Sequence, residues 1–244
     1  MQNGNPVLNT IRAVLEREPH INLHRWPVNL NLTDNSVLIM EGDVESIAAK
    51  KRSLELVTEI SEVRGVINRL HVEPTEHKSD GEILGALETL LLDARDFKNC
   101  SLSVIKKGQT LALQEILDDD ASGNIVASVD AGVVTLDGWV LSLSHKRLAG
   151  VLAWWVPGCR DVVDALEVLP PEQDTDDEVT DALLLVMEMD PLIPHPEQIS
   201  IHTHDFVVTL EGLVSSETEK NRAEQNAWYL FAVDKVVNQL AVSR

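Results

Sequence analysis

The chain has 244 residues, 44% of them hydrophobic and only 4% aromatic, and its 40 acidic against 20 basic residues leave a formal charge of −20. A field of that sign repels phosphate backbones, which excludes general nucleic-acid binding, and it opposes long-range attraction to anionic lipid. The imbalance grows along the chain, from −2 over residues 1–78 to −8 over 79–172 and −10 over 173–244, and its plainest effect is solubility.

Taken in chain order, Val7, Leu8, Ile11, Val14 and Leu15 follow the spacing of an amphipathic helix, which Pro19 is expected to stop. Val28, Leu30 and Leu32 alternate with Asn29, Asn31 and Thr33 as a half-buried strand does. Thr33–Ser36 is turn chemistry, and Val37–Met40 is the returning strand of a hairpin that Gly42 ends. Ser46 suits a helix N-terminus, Leu54, Val57 and Ile60 form that helix's apolar stripe, and a last strand finishes in Leu70 and Val72.

The same text then recurs. Val37-Leu-Ile-Met-Glu-Gly42 matches Val133-Val-Thr-Leu-Asp-Gly138 and Val207-Val-Thr-Leu-Glu-Gly212, and Val66-Ile-Asn-Arg-Leu-His-Val72 matches Val162-Val-Asp-Ala-Leu-Glu-Val168 and Val236-Val-Asn-Gln-Leu-Ala-Val242. Ser46 returns as Ser142 and Ser216, and Lys50 as Lys146 and Lys220. A repeat of this length makes each copy one compact unit. The third copy has its helix over Val179–Asp190, its stop at Pro191 and its first strand over Ile199–Thr203. The second opens with a helix on Ile83, Leu84, Leu87, Leu90 and Leu91, then carries about twenty extra residues around 97–123 that suit a hairpin or a second helix equally.

The expected fold is therefore α+β: three tandem α-β-β-α-β units, each a three-stranded mixed sheet with two helices on one face. Their expected limits are residues 1–76, 77–171 and 172–244. Cys100 and Cys159 occupy non-equivalent places, so a disulfide framework is not expected, and reduced thiols fit a cytosolic setting. No secretory signal is visible after Met1 and no apolar run is long enough to span a bilayer. The chain as written reads as cytoplasmic, and would read as periplasmic if a leader had been cut from it.

The helix ending in Asp/Glu-Pro, the run Val207-Val-Thr-Leu-Glu-Gly-Leu-Val214 and the close Val236-Val-Asn-Gln-Leu-Ala-Val242 resemble the BON domain, a family named for bacterial osmotically induced and nodulation proteins. The likeness covers residues 6–73, 110–169 and 178–243. It implies the α-β-β-α-β fold, no enzymatic activity, and association with phospholipid interfaces, envelope maintenance and osmotic stress. One cytosolic relative is linked to potassium binding. The family's glycine between the second helix and the last strand is kept only at Gly158; Glu62 and Ala232 replace it in the other copies.

Several residues stand out as candidates. Lys50-Lys51-Arg52 could bind phosphate or a lipid headgroup, or be a solvated helix face with Glu55 paired to Lys51. Trp154 and Trp155 close the second helix of the middle copy ahead of Pro157-Gly158, and Trp228-Tyr229 sits at nearly the same place in the third. Neighbouring helical residues point about 100° apart, so one tryptophan is expected in the core, and the other either covers the inserted residues or meets a lipid interface or a partner. His202 and His204 share a strand face next to Asp205, but a metal site needs three or four converging ligands, and none is expected. Asp118-Asp119-Asp120 lacks the calcium-loop pattern, and the acids of 174–178 suit a linker into a helix N-terminus. No catalytic or cofactor-binding fingerprint is present, so no enzyme activity and no cofactor is expected. The leading expectation is a non-enzymatic module binding a phospholipid interface or envelope component. A cytosolic protein-interaction scaffold is the alternative, and a potassium-responsive protein a further one.

Overall fold

The computed structural model describes residues 5–117 and 121–243. It divides into two compact units, residues 1–73 and 74–244, and it is of mixed α+β class, with six α-helices and three sheets among the described residues.

The first unit runs α1 (Pro6–Leu15), β1 (Asn29–Leu32), β2 (Val37–Val44), α2 (Ile47–Thr58) and β3 (Gly65–Val72). Its sheet has the order β1-β2-β3, with β2 antiparallel to β1 and parallel to β3. Leu38, Met40 and Val44 on the inner face of β2 meet Ile11 and Leu15 of α1, Val57 of α2 and Leu70 of β3 in one core. The helix α1 stops at Leu15, well before Pro19.

The second unit holds two such arrangements in one body. The first comprises α3 (Asp80–Asp93), β4 (Cys100–Lys106), β5 (Gln109–Gln114), β6 (Gly123–Asp130), β7 (Val133–Val140), α4 (Leu143–Trp155), β8 (Asp161–Asp164) and β9 (Glu167–Val168). The second comprises α5 (Asp176–Met189), β10 (Ile199–His204), β11 (Val207–Val214), α6 (Glu217–Tyr229), β12 (Lys235–Asn238) and β13 (Ala241–Val242). The extra residues of the middle copy form the hairpin β4–β5, turned at Lys107-Gly108, rather than a helix. Strand β4 joins β6 in parallel, so this sheet has six strands where three were expected. The addition lengthens the floor under α3, where Ile83, Leu84, Leu87 and Leu91 are buried with Phe97, Leu102 and Val104. Asp118, Asp119 and Asp120 lie outside the described residues. No described helix is long and apolar enough to cross a membrane.

Recurrent residues have recurrent physical jobs. At Gly42, Gly138 and Gly212 φ is +136°, +111° and +127°, and a Cβ at Gly138 or Gly212 would lie 2.0 Å from the carbonyl oxygen of Asn124 or Gln198. Only glycine tolerates both conditions. The strands do not end there, as expected from sequence, but run through to Val44, Val140 and Val214. Ser46, Ser142 and Ser216 each accept the N–H of the residue three positions on, at 3.2 Å, and so cap α2, α4 and α6. Asn68, Asp164 and Asn238 each accept the N–H two residues on through Oδ1. That turn delivers Leu70, Leu166 and Leu240 into their cores, each no more than 2% exposed.

A further link was not anticipated. The carboxylate of Asp80, at the start of α3, accepts the N–H groups of Ala131 and Gly132 at 3.1 and 2.8 Å, holding the β6–β7 turn. Asp176, at the start of α5, does the same for Asp205 and Phe206 in the β10–β11 turn, both at 2.9 Å. Hydrogen bonds to a charged acceptor contribute more than neutral ones. Asp80→Ala is expected to cost about 2 kcal/mol, read as a lower urea midpoint for the transition of residues 74–244; an unchanged midpoint would remove the clamp from the account.

Candidate binding groove at the helix ends

The groove is built from the tails of helices. Within the second unit α4 packs against α3, α5 and α6, which places the last turns of α3, α4 and α5 beside one another. Trp154 and Trp155, singled out from sequence, stand at that meeting point, both half-buried. Trp154 stacks on Tyr229, with ring centroids 5.6 Å apart and planes 7° from parallel. Trp155 donates its indole N–H to Asn226 Oδ1 at 3.0 Å, and the Arg222 guanidinium lies 5.2 Å from its ring centre. Both tryptophans thus tie the middle copy to α6 of the third. Burial holds the Tyr229 hydroxyl above its ordinary range, against the opposing pull of Arg222.

Asp190 organises the polar side of this contact. It is 2% exposed, and its carboxylate accepts from the Asn226 amide at 2.6 Å and from the Arg222 guanidinium. Asp190 precedes Pro191 at the end of α5. Glu18 precedes Pro19 in the first unit and accepts from Arg52, a residue of α2 at the position that Arg222 holds in α6. The acid-proline pair at the end of one helix is therefore an anchor for an arginine on the next. In the middle copy α3 ends in Asp93-Ala94 with no proline, and Leu148 stands in the arginine's place.

Where these parts meet, a groove of about 740 Å³ opens. Its floor is apolar, with Leu90, Leu152, Trp155, Leu185, Met189 and Leu192. Asp93, Asp96, Glu188, Asp190, Arg95 and Arg222 supply its charge. Its size and the few polar groups on an apolar lining suit a binding site.

The remaining candidates fall elsewhere. Gly158, at φ +93°, turns the chain from α4 to β8, and a Cβ there would come 2.7 Å from that of Lys78. Ala232 keeps a positive φ at the equivalent turn of the third copy without being glycine. Lys50, Lys51 and Arg52 belong to the first unit and are all half-buried. Glu55 pairs with Arg52. Burial alone would raise the Glu18 carboxyl, but hydrogen bonds from His20 and Arg52 carry it below the ordinary range. Lys50 and Lys51 have partners of their own.

His204 and Asp205 are joined by Asp176, not by His202, in a group whose ligand atoms lie within 4.8 Å of one another. Both Asp176 oxygens already accept backbone N–H groups, and the His204 side chain is 91% exposed. The turn clamp accounts for the gathering. Cys100 and Cys159 are buried and not joined in a disulfide, and burial pushes Cys100 up to about 11, away from reactivity.

The BON domain profile matches residues 108–170 and again 175–244. The chain belongs to the BON domain family. It is 30% identical over 129 residues to the osmotically-inducible protein Y of Escherichia coli (strain K12), a match covering 50% of this chain and 64% of that protein. The BON protein thus spans somewhat under two thirds of that relative's length. Among solved structures, the C-terminal domain of CdsD, a structural protein of the type III secretion system of Chlamydia trachomatis, aligns over 100% of both chains at 14% identity with a TM-score of 0.23. A second CdsD structure covers 98% of this chain and 94% of its own at the same values. A likeness that weak carries no inference for this chain. Both matches of the family profile fall in residues 108–244, which contain the tryptophan contact and part of the groove.

Proposed function

We propose that this BON protein is a non-enzymatic binding protein of the osmotic-stress and envelope response, and that the groove at the helix ends is where it binds. The observation that carries the reading is the groove itself, an apolar trough of about 740 Å³ beside Trp155 in a family member related to an osmotically induced protein. Residues 6–73 serve as a third BON-like unit. That view is supported by the shared offices of Gly42, Ser46, Asn68 and the Glu18–Arg52 pair, and it gives three repeats over 1–76, 77–171 and 172–244. The test uses a strain lacking the gene. It should recover poorly from hyperosmotic shock, and recovery should return with the intact chain but not with Leu192→Asp, which changes a 58% exposed groove residue. Equal recovery with and without the gene would overturn the proposal.

A second reading, a phospholipid interface, is favoured by Trp154 and Trp155, large aromatic side chains only half-buried at the end of α4. It requires Trp154 or Trp155 to leave its partner on α6 and enter the bilayer surface. Flotation with neutral and anionic vesicles tests it. Salt-insensitive flotation lost in Trp155→Ala supports it, and no flotation in any condition rules it out.

A further inference from the structure

We infer that the groove receives a basic amphipathic helix of a partner protein, whose apolar side chains fill the trough while its lysines and arginines meet the acidic rim. This deepens the binding-protein reading and rests on it.

Charge is the deciding observation. The lining holds four carboxylates against two guanidiniums. One pair, Asp190 with Arg222, is closed on itself. That leaves Asp93, Asp96 and Glu188 facing only Arg95, and none of these four makes an ion pair among the described residues. Three helices also end here. The last turns of α3, α4 and α5 contain no basic residue, so the negative ends of their dipoles, about half a charge each, stay largely uncompensated. Lys98 offsets one of them by donating to the Leu92 carbonyl. The chain as a whole, rim included, carries −20. A phosphate headgroup would be repelled from such a rim, while a cation is drawn to it.

The apolar part selects an amphipathic occupant rather than a simple cation. Leu192 stands 58% exposed at the edge of the groove, and Leu90, Leu152 and Met189 continue inward. The volume accommodates several leucine-sized side chains. A helix carrying leucines at i, i+3, i+4 and i+7 presents such a row, with cations on its flanks. Trp155, over whose ring Arg222 already lies, adds an aromatic wall to the trough.

The experiment titrates the full chain into a fluorescent peptide of about 18 residues with leucines at those positions and lysines elsewhere, following anisotropy. A matched peptide with glutamates in place of the lysines is run beside it. The lysine peptide should bind and the glutamate peptide should not. Reversing the rim with Asp93→Lys and Glu188→Lys should weaken the lysine peptide about tenfold or more and confer binding of the glutamate peptide. The control pair Asp137→Lys and Glu211→Lys, exposed and on β7 and β11, changes net charge equally and should shift affinity less than about twofold. Leu192→Ser should weaken binding of the lysine peptide in the otherwise intact chain. Equal effects of the two reversals, equal binding of the two peptides, or no binding of the lysine peptide would overturn the inference. Osmotic recovery that still depends on Leu192 in that event would leave the broader binding role standing with a different ligand.

Discussion

Replacing Asp174 by alanine is expected to destabilise residues 74–244 by about 3 to 5 kcal/mol, more than replacing the arginine it pairs with. The asymmetry follows from burial. Arg147 lies on α4 with its side chain 0% exposed, while Asp174, in the segment before α5, is 28% exposed. The Arg147 Nη2 donates to Asp174 Oδ1, and the guanidinium lies 4.4 Å from the centre of the Phe231 ring. Its Nε and Nη1 find no hydrogen-bond acceptor among the described residues. Removing Asp174 strands a desolvated cation that has only an aromatic face for company. Removing the cation instead, as Arg147→Met, leaves a carboxylate that water can reach and a side chain that still fills the site, so a cost nearer about 1 kcal/mol is expected. Urea unfolding of the two single variants and the double variant measures both values. The double variant should be less destabilised than Asp174→Ala alone. An Asp174→Ala cost below that of Arg147→Met would mean that the guanidinium does not depend on this partner.

The Arg147 contact illustrates what could be read from sequence and what could not. The repeat was legible because its columns carry local work. The serine cap acts within one helical turn and the glycine within one hairpin, so the columns show in the spacing, although the place of the glycine inside its strand and the Asn/Asp turn emerge only from the structure. The hairpin β4–β5 was ambiguous because its strand β5 has an exposed surface and no clean alternation. What spacing cannot expose is work done between copies. Trp155 and Asn226 are far apart in sequence, as are Arg147 and Phe231, and nothing local marks either pair. The groove was half legible for the same reason. Trp154 and Trp155 were visible as large aromatics at a helix end, but Asp93, Asp96 and Glu188 looked like ordinary surface acids until three helix ends met. A residual signal did exist in Asp190-Pro191 and Glu18-Pro19. Asp190 sits where α5 stops and Glu18 in the turn that follows α1, and each answers to an arginine in the same column of a later helix, Arg222 or Arg52.

The same comparison of columns predicts a gain. Asp164→Asn is expected to stabilise residues 74–244 by about 2 to 3 kcal/mol at neutral pH. Asn68 and Asn238 hold this place in the other copies, and Asn238 shows why an amide suits it. Its Oδ1 accepts from Leu240, while its Nδ2 donates to the Lys220 carbonyl at 3.1 Å and to Glu224 at 2.9 Å. Asp164 keeps the first bond, to Leu166. Its buried Oδ2 has no hydrogen-bond partner among the described residues, and Gly150 stands where the third copy has Glu224. Burial pushes this carboxyl up to about 6, although Lys146 and the Leu166 N–H pull it down. The folded form thus holds its proton more tightly than the unfolded chain, whose ordinary value is 3.8. Below the unfolded value both states are protonated and the group costs nothing. As pH rises from there toward 6 the unfolded chain releases its proton first, so stability falls, and above 6 the loss is complete and constant. Asparagine removes the proton and restores a donor toward the Lys146 carbonyl. Unfolding free energies of the parent chain and the variant should therefore agree near pH 4 and diverge up to about pH 7, with the variant higher. A variant less stable than the parent at pH 7 would show instead that the Lys146 ammonium needs the charge at Asp164 more than the core needs its absence.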